Sequence, residues 1–482
     1  MPNLDPRDQR IAELEGQVAG LVRKLAAALA RIEELEKENI ELRAKLKLNS
    51  TNSSKPPSSD PPGVERPKKK STGRQRGGQP GHKANHRELL PPEQVTRIQD
   101  IIPPVCDRCT QPLKGQDPEP LRHQVIDLPE VKPDVTEFRL HALLCPDCRV
   151  VTRARLPEGT PRGSFGPRLM AVLGLLTGKL TVSKRAAREF VSDVLGVNLC
   201  VGSVSKVERT VSEAVAAPVD EASEFIRIQP EVHLDETGWR EDKRRAWLWV
   251  AATRLVTVFT IAKSRGSNIA KQILGPMFSG ISITDRWSAY GWLDPVRRQL
   301  CWAHLKRDFQ KMIDRGNPGA TIGEALMTEA KRMFRWWARV RDGTLDRLQF
   351  QKQMAAVERR VGDLLRDGEV CTDGKISGMC REILELETAL WTFVRIEGVE
   401  PTNNTGERDI RKAVLWRKGS FGTDSEVGSR YVERMLTVTT TLRKQNRNVL
   451  EFLTHAIEAH LKGQQPPSLL PQELPSVRAL AA

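Results

Sequence analysis

The sequence predicts a multidomain α+β protein with an N-terminal coiled coil, a cysteine-rich metal module, a helical domain, and an α/β core that carries a helical insertion. Three observations lead to this fold class. A heptad pattern of apolar residues runs over 9–48, two Cys-x-x-Cys pairs lie within 101–155, and segments typical of strands and helices alternate within 228–430. Each part of the chain therefore has its own local pattern.

The overall composition favours a nucleic-acid partner. The 482 residues carry a net charge of +15, which attracts a polyanion. The chain has no apolar run long enough to span a bilayer, and its mean hydropathy is −0.44. The polar N-terminus argues against a signal peptide, and two close cysteine pairs suit a reducing cytosol with one metal site. We therefore expect a cytoplasmic protein without a membrane partner.

The heptad pattern over 9–48 predicts a leucine-zipper coiled coil. Asn39 falls at an a position, where a buried amide pairs with its own copy and favours a parallel dimer. The alternative is an amphipathic helix that packs on its own domain. The seam residues follow 3,4 spacing without a slip: Ile11, Leu14, Val18, Leu21, Leu25, Ala28, Ile32, Leu35, Asn39, Leu42 and Leu46.

Residues 49–90 form a basic segment rich in Pro, Gly and Ser. Such a segment cannot bury a core, so we expect a linker, which either follows a phosphate backbone or serves only as a tether.

Residues 101–155 predict a zinc-ribbon-like module. Its four candidate ligands form two Cys-x-x-Cys pairs, Cys106 with Cys109 and Cys145 with Cys148. Four thiolates suit a structural zinc ion, because they leave no position open for a substrate. Between the pairs we expect strands at 122–128 and 135–144. A redox pair is the alternative.

Residues 164–222 predict a helical domain similar to a helix-turn-helix. Helices are expected from Pro167, from Ser183 to Leu195, and from about 201, with a turn at Gly196. Arg185, Arg188 and Lys206 are its candidate DNA-binding residues. Plain helical packing is the alternative.

Residues 228–430 predict an RNase H-like core. Strands at 232–234, 247–252 and 256–261 read as consecutive and antiparallel, and a helix near 268–274 and a strand at 281–284 follow. That order of elements is typical of the RNase H-like fold. A helical insertion is expected at 318–400, and a C-terminal helical segment with a tail at 431–482.

Three acidic residues are the candidate catalytic and metal-binding residues of this core. Asp235 and Asp285 each end a strand-like run, and Glu407 begins a helix. Carboxylates in this arrangement can hold two Mg²⁺ ions about 4 Å apart for phosphoryl transfer on DNA. Each acid also has a structural reading. Glu236 could replace Asp235 as the ligand, Asp285 could cap a helix, and Glu407 could complete a capping box with Asn404.

Several short motifs are specific only in combination. They are Asn52-Ser-Ser-Lys-Pro-Pro-Ser-Ser-Asp60, Gly77-Gly-Gln-Pro-Gly-His82, the paired Cys-x-x-Cys, Asp235-Glu-Thr-Gly238, Thr284-Asp-Arg-Trp-Ser-Ala-Tyr290, Cys301-Trp-Ala-His304 with Arg307-Asp308, and Asn403-Asn404 with Glu407-Arg408. In this combination the chain resembles transposases of the insertion-sequence 66 family over nearly its full length. Two positions depart from the pattern, Gly406, where alanine is expected, and Arg286, which we interpret as a DNA contact.

The resemblance implies a DDE transposase, a metal-dependent polynucleotidyl transferase with Asp235, Asp285 and Glu407 as its acids and Mg²⁺ or Mn²⁺ and Zn²⁺ as cofactors. Such an enzyme binds the terminal inverted repeats of an insertion sequence, cleaves DNA and transfers a strand to target DNA. The resemblance also suggests accessory proteins of the same element, and we expect a homodimer or higher oligomer and a bacterial, nucleoid-associated location. Candidate phosphate contacts near the acids are His304, Lys306, Arg307, Arg408 and Arg411.

Two tryptophans each have two alternative roles, and the sequence admits functions other than transposition, of which a zinc-and-coiled-coil scaffold fails to explain the three acids. Trp239 and Trp287 are either stacking platforms for a flipped base or core residues, and the core role is favoured. The main alternative function is a catalytically silent DNA-binding regulator derived from a transposase. A nuclease that cuts without strand transfer is another.

Overall fold

The computed structural model describes residues 6–46, 87–316 and 318–471. The predicted linker therefore lies almost entirely outside the described residues, as do the end of the heptad pattern at 47–48 and the C-terminal tail from 472. The chain divides into two compact units. The larger comprises 1–65, 138–189 and 199–482, and the smaller comprises 66–137 and 190–198. Helices and two sheets together confirm the α+β class.

The N-terminal helix α1 spans Pro6–Leu46. Its seam side chains that the structure describes are uncovered in the single chain, since Val18, Leu21 and Leu25 are 57–65% exposed and Ile32 and Leu35 about half exposed. The predicted helix is confirmed over this range. An apolar seam that the described residues leave uncovered is compatible with a partner helix. The dimer itself stays a prediction.

The strands predicted between the two cysteine pairs are largely wrong. Residues 122–128 form no strand, and of 135–144 only β1 (Ala142–Leu144) does, paired antiparallel with β2 (Val151–Arg153). The physical reason is exposure, because Val125, Leu128 and Val135 are each more than 80% exposed. An apolar alternation produces a strand only where one face is buried.

Four helices precede the main sheet, at α2 (Pro167–Gly178), α3 (Lys184–Leu195), α4 (Val201–Ala214) and α5 (Ala216–Arg227). The Ser183 hydroxyl accepts the Ala186 N–H at 3.2 Å and caps α3, as the sequence predicts. Gly196 ends this segment in the left-handed region at φ 67°. The helix, turn and helix are thus present, and their contact with DNA stays a prediction.

The main sheet has five strands in the order β5-β4-β3-β6-β7. The first three strands of this sheet, β3, β4 and β5, pair antiparallel, whereas β3, β6 and β7 pair parallel. Asp242 and Lys243, both with positive φ, form the two-residue turn of the β3–β4 hairpin. The elements are β3 (Glu231–Glu241), β4 (Arg244–Ala252), β5 (Thr257–Ala262), α6 (Ser267–Leu274), β6 (Ile281–Thr284) and β7 (Arg298–Leu300).

Helices follow the sheet, and many of them form the predicted insertion. Its core contains edge-to-face and tilted aromatic pairs such as Trp302 with Trp391 at 5.0 Å. The same apolar cluster includes Ile283 and Leu300, so the insertion is packed onto the sheet. The helices are α7 (Trp302–Asp314), α8 (Gly319–Arg341), α9 (Arg347–Glu369), α10 (Gly374–Leu384), α11 (Glu387–Leu390) and α12 (Thr392–Arg395).

The last helices are α13 (Asn404–Ser420), α14 (Glu426–Lys444) and α15 (Val449–Leu461). Helix α14 covers β5, the edge strand of the sheet. The N–H groups of Thr257 and Phe259 donate to the hydroxyls of Thr441 and Thr437, each at 3.0 Å, and Ile261 N–H donates to Glu433. Four helical residues rise about 6 Å and two strand residues about 6.6 Å, so the two spacings match. The helix thereby satisfies an edge that would otherwise be open.

Candidate active site

The parallel pairing of β3 with β6 brings two of the predicted acids together. His233 lies opposite Ile283 in this register. Two residues further along each strand stand Asp235 and Asp285. Because β3 and β6 run in the same direction, both carboxylates lie at the same edge of the sheet.

Asp235 is placed among negative charges. Its Oδ1 accepts the Glu236 N–H at 2.9 Å. Burial raises the pKa of Asp235 well above its usual range, and the charges of Glu236, Asp285 and Glu407 raise it further. A carboxylate whose ionised form is disfavoured in this way gains most from a bound cation.

The loop that carries Asp285 is held by a buried arginine. Arg298 donates to Thr284 Oγ1 at 2.9 Å, to the Asp285 carbonyl at 2.7 Å and to the Tyr290 carbonyl at 3.2 Å. Burial lowers the pKa of Arg298 to about 10, so it remains charged at neutral pH. Asp285 Oδ1 also accepts the Trp287 N–H at 2.9 Å. The alternative in which Asp285 caps a helix is wrong, because the short 3₁₀ helix that follows begins at Ser288 after Trp287 and has no side-chain cap.

Arg286 is paired with two acids. Its guanidinium lies 3.2 Å from Asp308 on α7 and is paired with Glu382 on α10. These ion pairs give the side chain, which is 18% exposed, a role within the chain, and its contact with DNA stays a prediction. Arg286 thereby connects the Asp285 loop to the insertion.

Glu407 reaches the same edge because Asn403 anchors the start of α13. The Asn403 amide donates to the Leu234 carbonyl at 2.7 Å, and its Oδ1 lies 2.9 Å from His233 Nδ1. The helix begins after Asn403, and no side chain caps it, so Glu407 does not form a capping box with Asn404. A Cβ at Gly406 would lie 2.8 Å from Asn403 Oδ1, which explains glycine at this position.

Cys301, His304 and Glu407 form a group that could bind a metal ion. Their ligand atoms lie within 4.8 Å of one another. His304 Nδ1 is buried, lacks a hydrogen-bond partner and stands 3.3 Å from Glu407 Oε1. Burial, followed by the Arg307 charge, lowers the pKa of His304, so the imidazole is neutral at pH 7. Cys301 appears in the sequence analysis only as part of a motif and is not among its candidate site residues. Its spacing from His304 at the start of a helix was a usable signal.

Cys301 is suited to orienting the site. Burial and the Glu407 charge raise the pKa of its thiol to about 12, so it stays protonated at neutral pH. Its Sγ accepts the Asn403 N–H at 3.2 Å and lies 3.6 Å from Glu407 Oε1 as a donor. A neutral thiol is a poor ligand for Mg²⁺, which prefers oxygen.

Glu236 occupies the opposite face of β3 from Asp235. Its Oε1 accepts from Arg265 Nη2 at 2.7 Å, and its Oε2 accepts the Tyr290 hydroxyl. Successive side chains on a strand point to opposite faces, which explains the difference. With both oxygens engaged, Glu236 is a poorer candidate ligand than Asp235.

The predicted DNA-binding residues lie on four helices. Arg307 Nη2 is 4.0 Å from Glu407 Oε1, and Lys306 lies over the Phe334 ring at 5.6 Å. The exposed members on the other helices are Arg185 and Arg188 on α3, Lys206 on α4, and Arg408 and Arg411 on α13. These five cations are therefore exposed to solvent. Arg408 and Arg411 share α13 with Glu407, whereas the other three lie on helices that carry none of the three acids.

Each cysteine pair forms the same local turn. Cys106 N–H donates to the Gln111 carbonyl and the Thr110 N–H returns to Cys106, at 2.9 and 2.8 Å. Around Cys145 the equivalent bonds involve Val150 and Arg149, both at 3.0 Å. Hydrogen bonds from the backbone of the second half of each turn lower the pKa of Cys106 and Cys145. A lowered thiol pKa favours the thiolate that zinc binds.

Comparison with known proteins identifies two families. The model of the Transposase IS66 family matches residues 162–431, and a family of unknown function, DUF6444, matches residues 2–88. Among the described residues, no helix is both long and apolar enough to cross a membrane.

Two relatives come from Sinorhizobium fredii (strain NBRC 101917 / NGR234). "Uncharacterized protein y4qI" is 26% identical over 45% of this chain and 44% of its own length. "Uncharacterized protein y4hP" is 22% identical over 73% of this chain and 70% of its own length. The chain thus matches less than half of the first relative and somewhat more than two thirds of the second.

Proposed function

Because the chain belongs to the Transposase IS66 family, we propose that it is a DDE transposase with Asp235, Asp285 and Glu407 as its catalytic acids. Family membership implies that the protein acts on DNA and uses divalent metal ions. The proposed reaction is cleavage at the terminal inverted repeats of an insertion sequence, followed by transfer of the cut strand to target DNA.

The observation that carries this proposal is the convergence of carboxylates from β3, from the end of β6 and from α13. The negative charges of Asp285 and Glu407 both raise the pKa of Asp235. Such crowding is unfavourable without a cation, and the donors are the hard oxygens that Mg²⁺ or Mn²⁺ prefers. Held by these three acids, such ions would activate water or a 3′-hydroxyl and stabilise the leaving oxygen.

The strand order supports an RNase H-like core. In the main sheet three antiparallel strands come first, and the fourth pairs parallel with the first of them. That arrangement puts the first and fourth strands side by side, and each carries one acid. The third acid, Glu407, comes from a helix that follows the insertion. It lies 122 residues after Asp285 in sequence, yet the charges of both act on Asp235.

The surrounding residues position the acids and the DNA. Arg298 holds the Asp285 loop, and Asn403 holds the first turn of the Glu407 helix against β3. Arg408 and Arg411 on α13 are exposed and suit contacts with the phosphate backbone near the acids. His304, Lys306 and Arg307 on α7 are further proposed contacts.

The remaining modules are proposed to bind DNA and to assemble the enzyme. The cysteine turns are proposed to bind structural zinc, and the uncovered seam of α1 would join two chains. Arg185, Arg188 and Lys206 would face phosphates from the helical domain. Accessory proteins of the same element remain proposed partners.

A strand-transfer assay tests the proposal. Full-length protein is incubated with Mg²⁺ or Mn²⁺ and DNA carrying the terminal repeats, and joined products are resolved on a gel. We expect Asp235→Asn, Asp285→Asn and Glu407→Gln each to lower product by at least about a thousandfold while DNA binding persists. Glu324→Gln, an exposed carboxylate on α8, is the matched control and should retain activity.

DNA binding without joined products by wild-type protein, even with the accessory proteins added, would contradict the catalytic proposal. In that case the silent DNA-binding regulator becomes the better reading of this chain.

A further inference from the structure

We propose that Arg245, Trp247, Arg265 and Trp287 form a stacking platform for an unpaired nucleobase of the DNA, beside the acidic cluster. This inference rests on the proposed function, because it assigns part of the DNA that the catalytic site would handle.

The four side chains of the stacking platform follow one another in space. The guanidinium carbon of Arg245 lies 4.8 Å from the centre of the Trp247 ring, and that of Arg265 lies 4.7 Å from the same ring. Arg265 also lies 3.8 Å from the centre of the Trp287 ring. Planar cations and indoles therefore alternate from β4 to the loop after β6, at separations typical of cation–π contacts.

Hydrogen bonds hold the end of this platform in place. Arg265 donates to Glu236 Oε1 through Nε at 2.9 Å and Nη2 at 2.7 Å. The Trp287 indole N–H donates to the Arg265 carbonyl at 3.3 Å, and its backbone N–H donates to Asp285. A ring fixed before binding loses little conformational entropy when a base stacks on it.

Trp287 differs from the other tryptophans in its exposure. It is 38% exposed and lies two positions after Asp285, whereas Trp239 is 2% exposed and donates to Thr423. The favoured core role is therefore correct for Trp239 and wrong for Trp287. Core packing does not explain Trp287, because its indole is partly exposed. Its partner Arg265 is already paired with the buried carboxylate of Glu236.

An unpaired base is the occupant that this chemistry favours. Indole and guanidinium planes stack on nucleobases without sequence preference, and Arg245 and Arg265 add positive charge for the adjoining phosphates. The acidic cluster alone would repel those phosphates. DNA ends near a cleavage site are also where bases are most easily unpaired.

The test uses full-length protein without divalent metal, so that no cleavage occurs. Fluorescence polarisation compares a short oligo-deoxythymidine with an abasic oligonucleotide of the same length and charge. We expect wild type to prefer the oligonucleotide with bases. Trp287→Ala should lose on the order of tenfold in affinity for it and little for the abasic strand, while Trp287→Phe keeps most of the preference.

Trp336→Ala is the matched control. Trp336 on α8 also carries an arginine, Arg339 at 5.3 Å, but belongs to the insertion core. Its loss should leave the preference unchanged. Unaltered binding of the abasic strand by Trp287→Ala shows that this variant is folded.

Equal binding of the two oligonucleotides by wild type, or an undiminished preference in Trp287→Ala, overturns the inference. The strand-transfer assay separates this failure from that of the proposed function. Wild type that joins DNA ends without preferring bases refutes the platform alone. Wild type that prefers bases through Trp287 but never joins ends refutes the transposase proposal alone.

Discussion

Two places on the main sheet bury polar groups, and they differ in whether those groups find partners of opposite character within the chain. At the β5 edge, each buried donor meets one acceptor, as when Thr257 N–H meets Thr441 Oγ1. Where β6 ends beside the middle of β3, carboxylates lie near other carboxylates, and burial together with these charges raises the pKa of Asp235. The first arrangement is complete within the chain, whereas the second would be completed by the cation that the proposed function requires.

The difference shows how stability and function are divided in this fold. Buried polar groups stabilise when they are paired and destabilise when they are not. The β5 edge is built from neutral threonines, which tolerate burial. If the proposed function is correct, the acidic cluster lowers stability in return for metal affinity, and Arg298 and Asn403 hold it in place through hydrogen bonds.

Glu433 is the exception within the β5 edge, and it supplies the largest expected effect on stability. It is buried, it accepts the Ile261 N–H, and burial raises its pKa to about 7. A raised carboxyl pKa means that its stabilising contribution is fully present below about pH 4.5 and is lost as the pH rises through about 7. The loss amounts to at most about 3 kcal/mol.

Glu433→Gln should therefore remove this pH dependence. Urea unfolding of both proteins at pH 5 and pH 8, followed by tryptophan fluorescence, measures it. We expect the variant to gain in free energy of unfolding relative to wild type as the pH is raised. Parallel pH profiles of the two proteins would contradict this prediction. They would show that ionisation of Glu433 does not lower the free energy of unfolding.

The threonine contacts supply the next effect. Thr441→Val keeps the shape of a fully buried side chain and removes the acceptor for Thr257 N–H and the donor to its carbonyl. We expect the free energy of unfolding to fall by about 2 kcal/mol, because a buried N–H is left unpaired. Thr328→Val on α8 is the control, since its exposed hydroxyl bonds only within its own helix. An equal loss in both variants would mean that the edge contact adds nothing beyond helix propensity.

The two places also differ in how far the sequence predicts them. Asp235 and Asp285 each follow a β-type run that is visible in the sequence, and the parallel register brings them together. The expectation that Asp235 ends its strand is wrong, because β3 continues to Glu241. The β5 edge could not be predicted, because a helix that substitutes for a strand shows only helical periodicity. Thr437 and Thr441 resemble ordinary helix residues until the strand beside them is known.

The supports of the acidic cluster were missed for a related reason. Asn403, Cys301 and His233 are far apart in sequence, and no local pattern records the hydrogen bonds that join them in the folded chain. The predicted strand at 122–128 is wrong for the opposite reason, because here a local pattern predicts an element that the structure lacks. Its apolar residues suggested a buried face, but the structure leaves them exposed, so local pattern alone was misleading.

The smallest expected effect tests whether the negative charges of the acidic cluster lack a compensating charge within the chain. Without divalent metal, Asp235→Asn should raise the melting temperature of the protein by a few degrees, equivalent to about 1 kcal/mol, because it removes one charge from a crowded set. Excess Mg²⁺ should then stabilise wild type and leave the variant nearly unchanged, since only wild type retains the full set of acids. Thermal unfolding with and without Mg²⁺ measures both effects. A variant less stable than wild type in the absence of metal would mean that Asp235 is already compensated within the chain, and the contrast with the β5 edge would disappear.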